Sequence, residues 1–149
     1  IGELPIGRPQ NLVPAITQTA IGKIDKMFVH GTDYPTRDGS CVRDYIHVCD
    51  LADAHTKALQ YLEESKNKQN LEVFNLGSGN GNTVLEAINA FEKVTGMKLN
   101  YEIGPRRAGD VIAIYANNDL AKKVLGWNTK FSIEDIMETA WKWEQKLNA

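Results

Sequence analysis

The sequence predicts an α/β fold, because short apolar strand candidates alternate with helical segments along the chain. Its 149 residues are enough for one domain, and 42% hydrophobic with 24% charged residues is typical of a globular protein. The net charge of -2 gives no general attraction for nucleic acid or for an acidic membrane. No apolar run reaches the roughly 18 residues of a membrane helix. With only two cysteines, we expect a cytoplasmic protein without disulfides.

The first half of the chain opens with a segment typical of a loop, in which residue 1 is Ile and not Met. The elements predicted after it are a helix from a cap at Asn11 to about Gly22, a strand over 27–29, a polar loop over 31–39, a strand over 45–48, and a helix capped by Asp50 and extending past Leu62. Each helix is supported by apolar residues at helical spacing.

The second half continues the alternation. A strand is predicted over 71–76, a helix from the Thr83/Glu86 capping box to Gly96, a strand over 99–103, a helix over about 118–125 that ends at Gly126, and a helix over 132–147 capped by Ser132. We find neither an internal repeat nor a low-complexity segment.

The glycine-rich turn at residues 77–82 is the first feature that could carry chemistry. It follows a strand and precedes a helix, as a dinucleotide-binding turn does, and Glu102 ends the next strand where a ribose-binding acid could lie. However, the fingerprint requires a small residue at position 82, and this chain has Asn82. The alternative is a tight turn before a well-capped helix.

The second feature is the segment 42–48. On a strand, Arg43, Tyr45 and His47 would share one face, opposite Asp44 and Ile46. That face could bind a phosphate through Arg43. The alternative is a half-buried strand with a satisfied polar face.

The third feature is the loop 105–110, in which two adjacent arginines are followed by Gly109 and Asp110. Arginine forks onto phosphate oxygens, and a carboxylate accepts hydrogen bonds from sugar hydroxyls. The alternative is an exposed basic turn with an internal salt bridge, which contributes little stability. His47, Cys49, Asp50 and His55 do not have the spacing of metal ligands, so we expect no metal site.

Three blocks together, residues 9–14, 28–53 and 106–110, closely resemble the UDP-glucose 4-epimerases, a family of extended short-chain dehydrogenases/reductases. The resemblance covers essentially the whole chain. It implies that residues 1–149 are the C-terminal UDP-sugar-binding portion of a Rossmann-type fold, with one or more strands belonging to the sheet of the cofactor domain. The N-terminal NAD-binding portion is absent from this chain.

The resemblance also assigns roles. In this family the cofactor-binding glycines, the Tyr-x-x-x-Lys pair and the catalytic Ser or Thr lie upstream. The resemblance therefore implies that this chain contains no catalytic and no cofactor-binding residue. It also implies that the Gly77 turn is structural. The implied substrate-binding residues are Asn11 and Leu12 at the diphosphate, Phe28 and His30 at the uracil, Arg43 and Arg107 at the two phosphates with Tyr45 in support, Val84 near the uridine, Asp110 at the ribose, and Ile114, which sets the size of the sugar pocket.

The implied activity of the full-length enzyme is the interconversion of UDP-glucose and UDP-galactose through a 4-keto intermediate, with hydride transfer at C4 by bound NAD. The branched side chain of Ile114 favours these two sugars over N-acetylated ones. The resemblance further suggests a homodimer and an inactive isolated chain, with an exposed apolar face towards the missing portion. Two alternatives are the C-terminal half of another UDP-sugar-modifying enzyme, a dehydratase or decarboxylase, and a stand-alone nucleotide-binding module that uses the Gly77 turn.

Overall fold

The computed structural model describes residues 2–149, so Ile1 lies outside the described residues. The elements are α1 (Leu12–Ala20), β1 (Met27–His30), β2 (Val42–Arg43), α2 (Val48–Glu63), β3 (Asn82–Thr83), α3 (Val84–Thr95), β4 (Tyr101–Gly104), α4 (Asp119–Leu125) and α5 (Ile133–Leu147). The predicted mixed α/β class is confirmed. None of the helices in this described part is long and apolar enough to cross a membrane.

The main hydrophobic core lies between α1, α3, α5 and β1. Phe91 of α3 is fully buried, and its ring meets Trp141 of α5 edge to face, with ring centroids 5.6 Å apart. Ile16 contributes the buried side of α1. The capping box predicted at Thr83 is present, and Ser132 caps α5 as predicted, within a second capping box that it forms with Asp135.

A parallel pair of strands supports one edge of this core. Strand β1 pairs with β4, with Met27 opposite Tyr101 and His30 opposite Gly104. Because the strands are parallel, the loops that follow their carboxyl ends leave at the same edge of the sheet. Those loops are the polar loop 31–40 and the arginine-containing loop 105–111.

The strand predicted over 45–48 is wrong. Strand β2 ends at Arg43 after pairing for two residues with β3, and α2 begins at Val48. His47 provides the N-cap of α2, since its Nδ1 accepts the amide of Cys49 at 3.1 Å. The predicted cap Asp50 lies inside the helix, where its carboxylate accepts the amides of Lys130 and Phe131 instead.

The expected side-chain cap by Asn11 is also wrong. Asn11 occupies the N-cap position of α1 with an extended backbone, but its side chain makes no capping hydrogen bond. Its amide nitrogen donates to Glu3 Oε1 at 2.8 Å. The side chain of Asn11 therefore bonds to the opening segment, and its oxygen accepts no amide of the first turn of α1.

Residues 71–76 do not form a strand, contrary to prediction. The segment still has two faces: Phe74 and Leu76 pack towards buried Trp127, whereas Leu71 and Val73 are 78% and 70% exposed. The alternating sequence is that of a strand, but no segment of the described residues pairs with it.

A second, smaller cluster forms around Trp127, whose indole nitrogen donates to the carbonyl of Asp50 at 2.8 Å. Helix α2 packs on this cluster through Ala54. The other side of α2 exposes an apolar stripe at helical spacing, made of Val48, Leu51, Leu59 and Leu62. We call this the α2 stripe.

Candidate functional site

A cleft of about 1040 Å³ opens where α1, β1, β2 and the start of α3 meet the loop after β4. Nine of the ten residues predicted to bind substrate line it: Asn11, Leu12, Phe28, His30, Arg43, Tyr45, Val84, Arg107 and Asp110. Ile114 does not line this cleft. It is 58% exposed, and its amide donates to the carbonyl of Val42 at 3.1 Å.

The fold brings the nine residues together from five places in the sequence. Asn11 and Leu12 begin α1, and Phe28 and His30 lie on β1, where they alternate with buried Met27 and Val29. Arg43 ends β2 and Tyr45 follows it, Val84 begins α3, and Arg107 and Asp110 lie in the loop that follows β4.

Two arginines of the cleft share one carboxylate. Arg107 Nη2 donates to Asp110 Oδ1 at 2.8 Å, and Arg43 Nη2 donates to the same oxygen at 3.3 Å. The hydrogen bond from Arg107 to Asp110 raises the pKa of Arg107 above its usual value. Arg43 Nη1 also donates to the carbonyl of Val111 at 2.7 Å, which fixes its fork. We call these three side chains the Arg43–Asp110–Arg107 cluster.

Tyr45 also lines the cleft, and its hydroxyl is buried. The hydroxyl oxygen is inaccessible to solvent and has no hydrogen-bond partner within the described residues. Burial raises the pKa of Tyr45 to about 12, so the phenol stays protonated at neutral pH. An unpaired buried hydroxyl is costly, so a hydrogen-bond partner that reached this group would stabilise the protein.

Backbone amides of the glycine-rich turn donate hydrogen bonds to side-chain acceptors within this chain. Ser78 N donates to Asp44 Oδ1 at 2.9 Å, Gly81 N donates to Ser78 Oγ at 3.0 Å, and Thr83 N donates to a carboxylate oxygen of Glu86 at 2.8 Å. A Cβ at Gly77 would lie 2.1 Å from Asp44 Oδ2. The turn therefore holds a carboxylate and offers few free amides to a pyrophosphate.

Several residues of the cleft were missed by the sequence analysis. Glu3 and Arg8 line it from the opening segment, which had been assigned only as loop. Glu3 also accepts the indole N–H of Trp143 on its carbonyl at 3.0 Å, which ties the segment to α5. Single charges in a loop carry no periodic signal, so sequence alone could not have placed them. Within residues 2–149, no three His, Cys, Asp or Glu side chains are grouped to hold a metal ion.

The fold is that of a known class. A model of the family described as GDP-mannose 4,6 dehydratase matches residues 7–140. The chain belongs to this family, and its domain is of the extended short-chain dehydrogenase/reductase type.

Within that class, the chain is similar to UDP-glucose 4-epimerases. It is 49% identical over 146 residues to a UDP-glucose 4-epimerase of Schizosaccharomyces pombe, an alignment that covers 98% of this chain and 41% of the relative. The matched portion is the C-terminal part of the relatives. The chain thus spans about two fifths of the length of the curated relatives it matches.

Solved structures agree with this assignment. The UDP-glucose-4-epimerase of Stenotrophomonas maltophila, crystallised with NAD and formylated UDP-arabinopyranose, superposes with a TM-score of 0.94 at 45% identity, over 99% of this chain and 43% of that one. The enzyme of Bifidobacterium longum, in complex with NAD+ and UDP, gives a TM-score of 0.89 at 42% identity, over 98% and 42% of the two chains. The predicted resemblance to the UDP-glucose 4-epimerases and the predicted fold class are confirmed.

Proposed function

We propose that this chain is the UDP-sugar-binding portion of a UDP-glucose 4-epimerase that interconverts UDP-glucose and UDP-galactose. The observation that carries the proposal is the Arg43–Asp110–Arg107 cluster in the cleft. Relatives with this activity match almost the whole chain, and related structures were crystallised with UDP or a UDP-sugar.

The cluster has the chemistry of a diphosphate site. Each guanidinium presents a planar fork that matches two phosphate oxygens. Asp110 holds both forks near each other before any ligand arrives, and two cations sharing one carboxylate leave an excess of positive charge for a diphosphate. Both arginines bond to Asp110 Oδ1, and Oδ2 accepts no hydrogen bond from the described residues, which supports its proposed role as acceptor for a ribose hydroxyl.

The neighbouring side chains suit the rest of the nucleotide. Phe28 and His30 expose aromatic surface on one face of β1, which supports their proposed place beside the uracil. Val84 offers apolar contact at the start of α3, and the hydroxyl of Tyr45 is a donor without a partner. Asn11 and Leu12 would meet the diphosphate from α1. Ile114, outside this cleft, is proposed to border the sugar.

NAD is proposed as the cofactor of the whole enzyme, on the strength of the related structures that contain it. The residues of the Gly77 turn do not fit its pyrophosphate, because Asp44 already occupies the turn. We therefore assign cofactor binding and the catalytic residues to a portion of the protein outside this chain. By this proposal the isolated chain has no epimerase activity.

The α2 stripe and the exposed side chains of Leu71 and Val73 support a docking surface for that cofactor-binding portion. The chain covers only about 41% of the relatives, so a large part of their length remains to cover such a surface. The unpaired segment 71–76 would then add a strand to the sheet of the cofactor domain. We further propose a cytoplasmic homodimer for the complete enzyme.

The proposal is tested by Arg107→Ala and Arg43→Ala in the longer protein that contains this chain. Each variant removes one fork from the diphosphate, so we expect UDP binding measured by calorimetry to weaken by about 2 kcal/mol, roughly 30-fold. KM for UDP-galactose should rise correspondingly. The control is Lys142→Ala, which removes an exposed cation paired with Glu138 on α5, away from the cleft.

Unchanged KM and kcat in both arginine variants would contradict the proposal. Product analysis with UDP-galactose separates it from the related alternatives: UDP-glucose is expected, and a dehydrated or decarboxylated product would favour another UDP-sugar-modifying enzyme. Tight binding of NAD by the isolated chain would favour the nucleotide-binding module.

A further inference from the structure

Two adjacent arginines in the loop after β4 make quite different contacts. Arg107 lines the cleft, whereas Arg106 is not among the residues that line it. Arg106 Nε donates to Asp33 Oδ1 at 2.8 Å, and Arg106 Nη2 donates to the backbone carbonyl of Asp33 at 2.7 Å. Arg106 therefore joins its own loop to the loop that follows β1.

A third contact fixes the same guanidinium. Its central carbon lies 4.2 Å from the ring centroid of Tyr34, a cation–π contact with a buried aromatic ring. Gly31 makes the approach possible: a Cβ there would lie 2.7 Å from the Tyr34 ring and 2.8 Å from Arg106 Cγ, at a φ of +80°. A larger residue at position 31 would have to displace the Tyr34 ring and the Arg106 side chain.

We propose that Arg106 is a positioning residue, which clamps loop 105–111 against Tyr34 and Asp33 so that Arg107 and Asp110 are held at the cleft. The inference rests on the proposed function, because it assigns Arg107 to the substrate diphosphate. The side chain of Arg107 is 60% exposed, so its placement depends on the backbone that carries it. Arg106 fixes that backbone one residue away.

The contacts differ in weight. The side chain of Asp33 is 73% exposed, so its ion pair with Arg106 is screened by water and contributes little. The stack on buried Tyr34 and the hydrogen bond to the Asp33 carbonyl are more important, since neither depends on the Asp33 carboxylate. The clamp should therefore tolerate loss of the Asp33 side chain better than loss of Arg106.

The experiment compares Arg106→Ala, Arg106→Lys and Arg107→Ala in the longer protein, by KM and kcat for UDP-galactose. For Arg106→Ala we expect KM to rise about three- to tenfold with kcat within about twofold, because ground-state binding is lost without contact to the reacting atoms. Arg106→Lys keeps a cation over Tyr34 and should recover part of the lost affinity. Lys142→Ala again controls for removal of a surface cation.

A double-mutant cycle gives a second measurement. Asp33→Ala alone should raise KM by less than Arg106→Ala, and Asp33→Ala combined with Arg106→Ala should be no worse than Arg106→Ala, because both remove the same clamp. An unchanged KM in Arg106→Ala, with or without a lower Tm, would overturn the inference, as would no recovery in Arg106→Lys. If Arg107→Ala also leaves KM unchanged, the proposed function fails, whereas an effect of Arg107→Ala alone rejects only the clamp.

Discussion

The molecule has two regions that differ in how completely they bury their apolar residues. The first region comprises α1, α3, α5, β1 and β4, and encloses nine buried core residues. The second region comprises α2, α4 and residues 71–76, and encloses three, Ala54, Ala121 and Trp127. The second region also leaves the α2 stripe in solvent.

This difference separates a well-enclosed part from an incompletely covered one. The cleft is built mainly on the first region, where α1, β1 and the start of α3 carry five of the candidate binding residues. The exposed α2 stripe of the second region is typical of a surface that another part of a protein covers. Each prediction below tests this contrast, beginning with the largest expected effect.

Truncation of the main core should be the most damaging change. Phe91→Ala removes a fully buried ring that contacts Trp141, and we expect unfolding free energy to fall by about 3–5 kcal/mol. The measurement is urea denaturation. Leu120→Ala on α4 is the comparison, because its side chain is already 52% exposed. Equal losses in the two variants would remove the distinction between the regions.

Loss of a buried carboxylate in the first region should cost less and should depend on pH. Glu144 links α5 to α1 by accepting Lys23 Nζ at 2.8 Å and Thr17 Oγ1 at 3.3 Å. Burial by itself would raise the pKa of Glu144, but its bonds to Lys23, Asn148 and Thr17 hold that pKa below the usual value. Glu144→Gln should therefore destabilise by about 1–2 kcal/mol at neutral pH.

The sign of the pH dependence follows from the lowered pKa. The stabilisation by Glu144 is present above the ordinary glutamate pKa of 4.5 and is lost as pH falls through the lower folded-state value. The difference between parent and variant should shrink in acid. Glu138→Gln, which breaks only an exposed pair with Lys142, should show no such trend. A difference that grows in acid would contradict this account.

The smallest effect on the chain alone is expected in the second region. Leu59→Ser combined with Leu62→Ser changes two side chains that are 58% and 57% exposed, so stability should shift by only about 0.5 kcal/mol. Self-association measured by light scattering should decrease. In the longer protein the same pair should cost at least about 1 kcal/mol, because the stripe would be covered there. Equal effects in both proteins would argue against a covered stripe.

Sequence reasoning succeeded where structure is set by neighbours in the chain. The capping box at Thr83 and the cap at Ser132 begin helices as expected, and Gly96 and Gly126 end them. It failed at 45–48 and at 71–76, where the local structure depends on contacts with residues distant in the sequence. Asp44 bonds to the amides of Ser78 and Ala116, and residues 71–76 have no partner strand within the described residues.

The candidate site shows the same division. The resemblance to the family named the candidate residues. Charge and spacing alone left a purely structural alternative open for each segment that contains an arginine. The bridge from Arg43 to Asp110 joins positions 67 residues apart, and no local pattern encodes it. No local sequence pattern predicts the contact between Arg106 and Tyr34 either, because it depends on two loops meeting at one edge of a sheet.

The parallel pairing of β1 with β4 also bears on how the chain folds. The hydrogen bond from Arg106 to Asp33 closes a separation of 73 residues, with the whole of α2 and α3 in between. Contacts of such long range form slowly, because loop-closure entropy is lost before they stabilise the fold. Helix α1 meets α5 over a still longer separation, 127 residues between Thr17 and Glu144. We therefore expect the first region, with its cleft, to assemble late during synthesis or refolding.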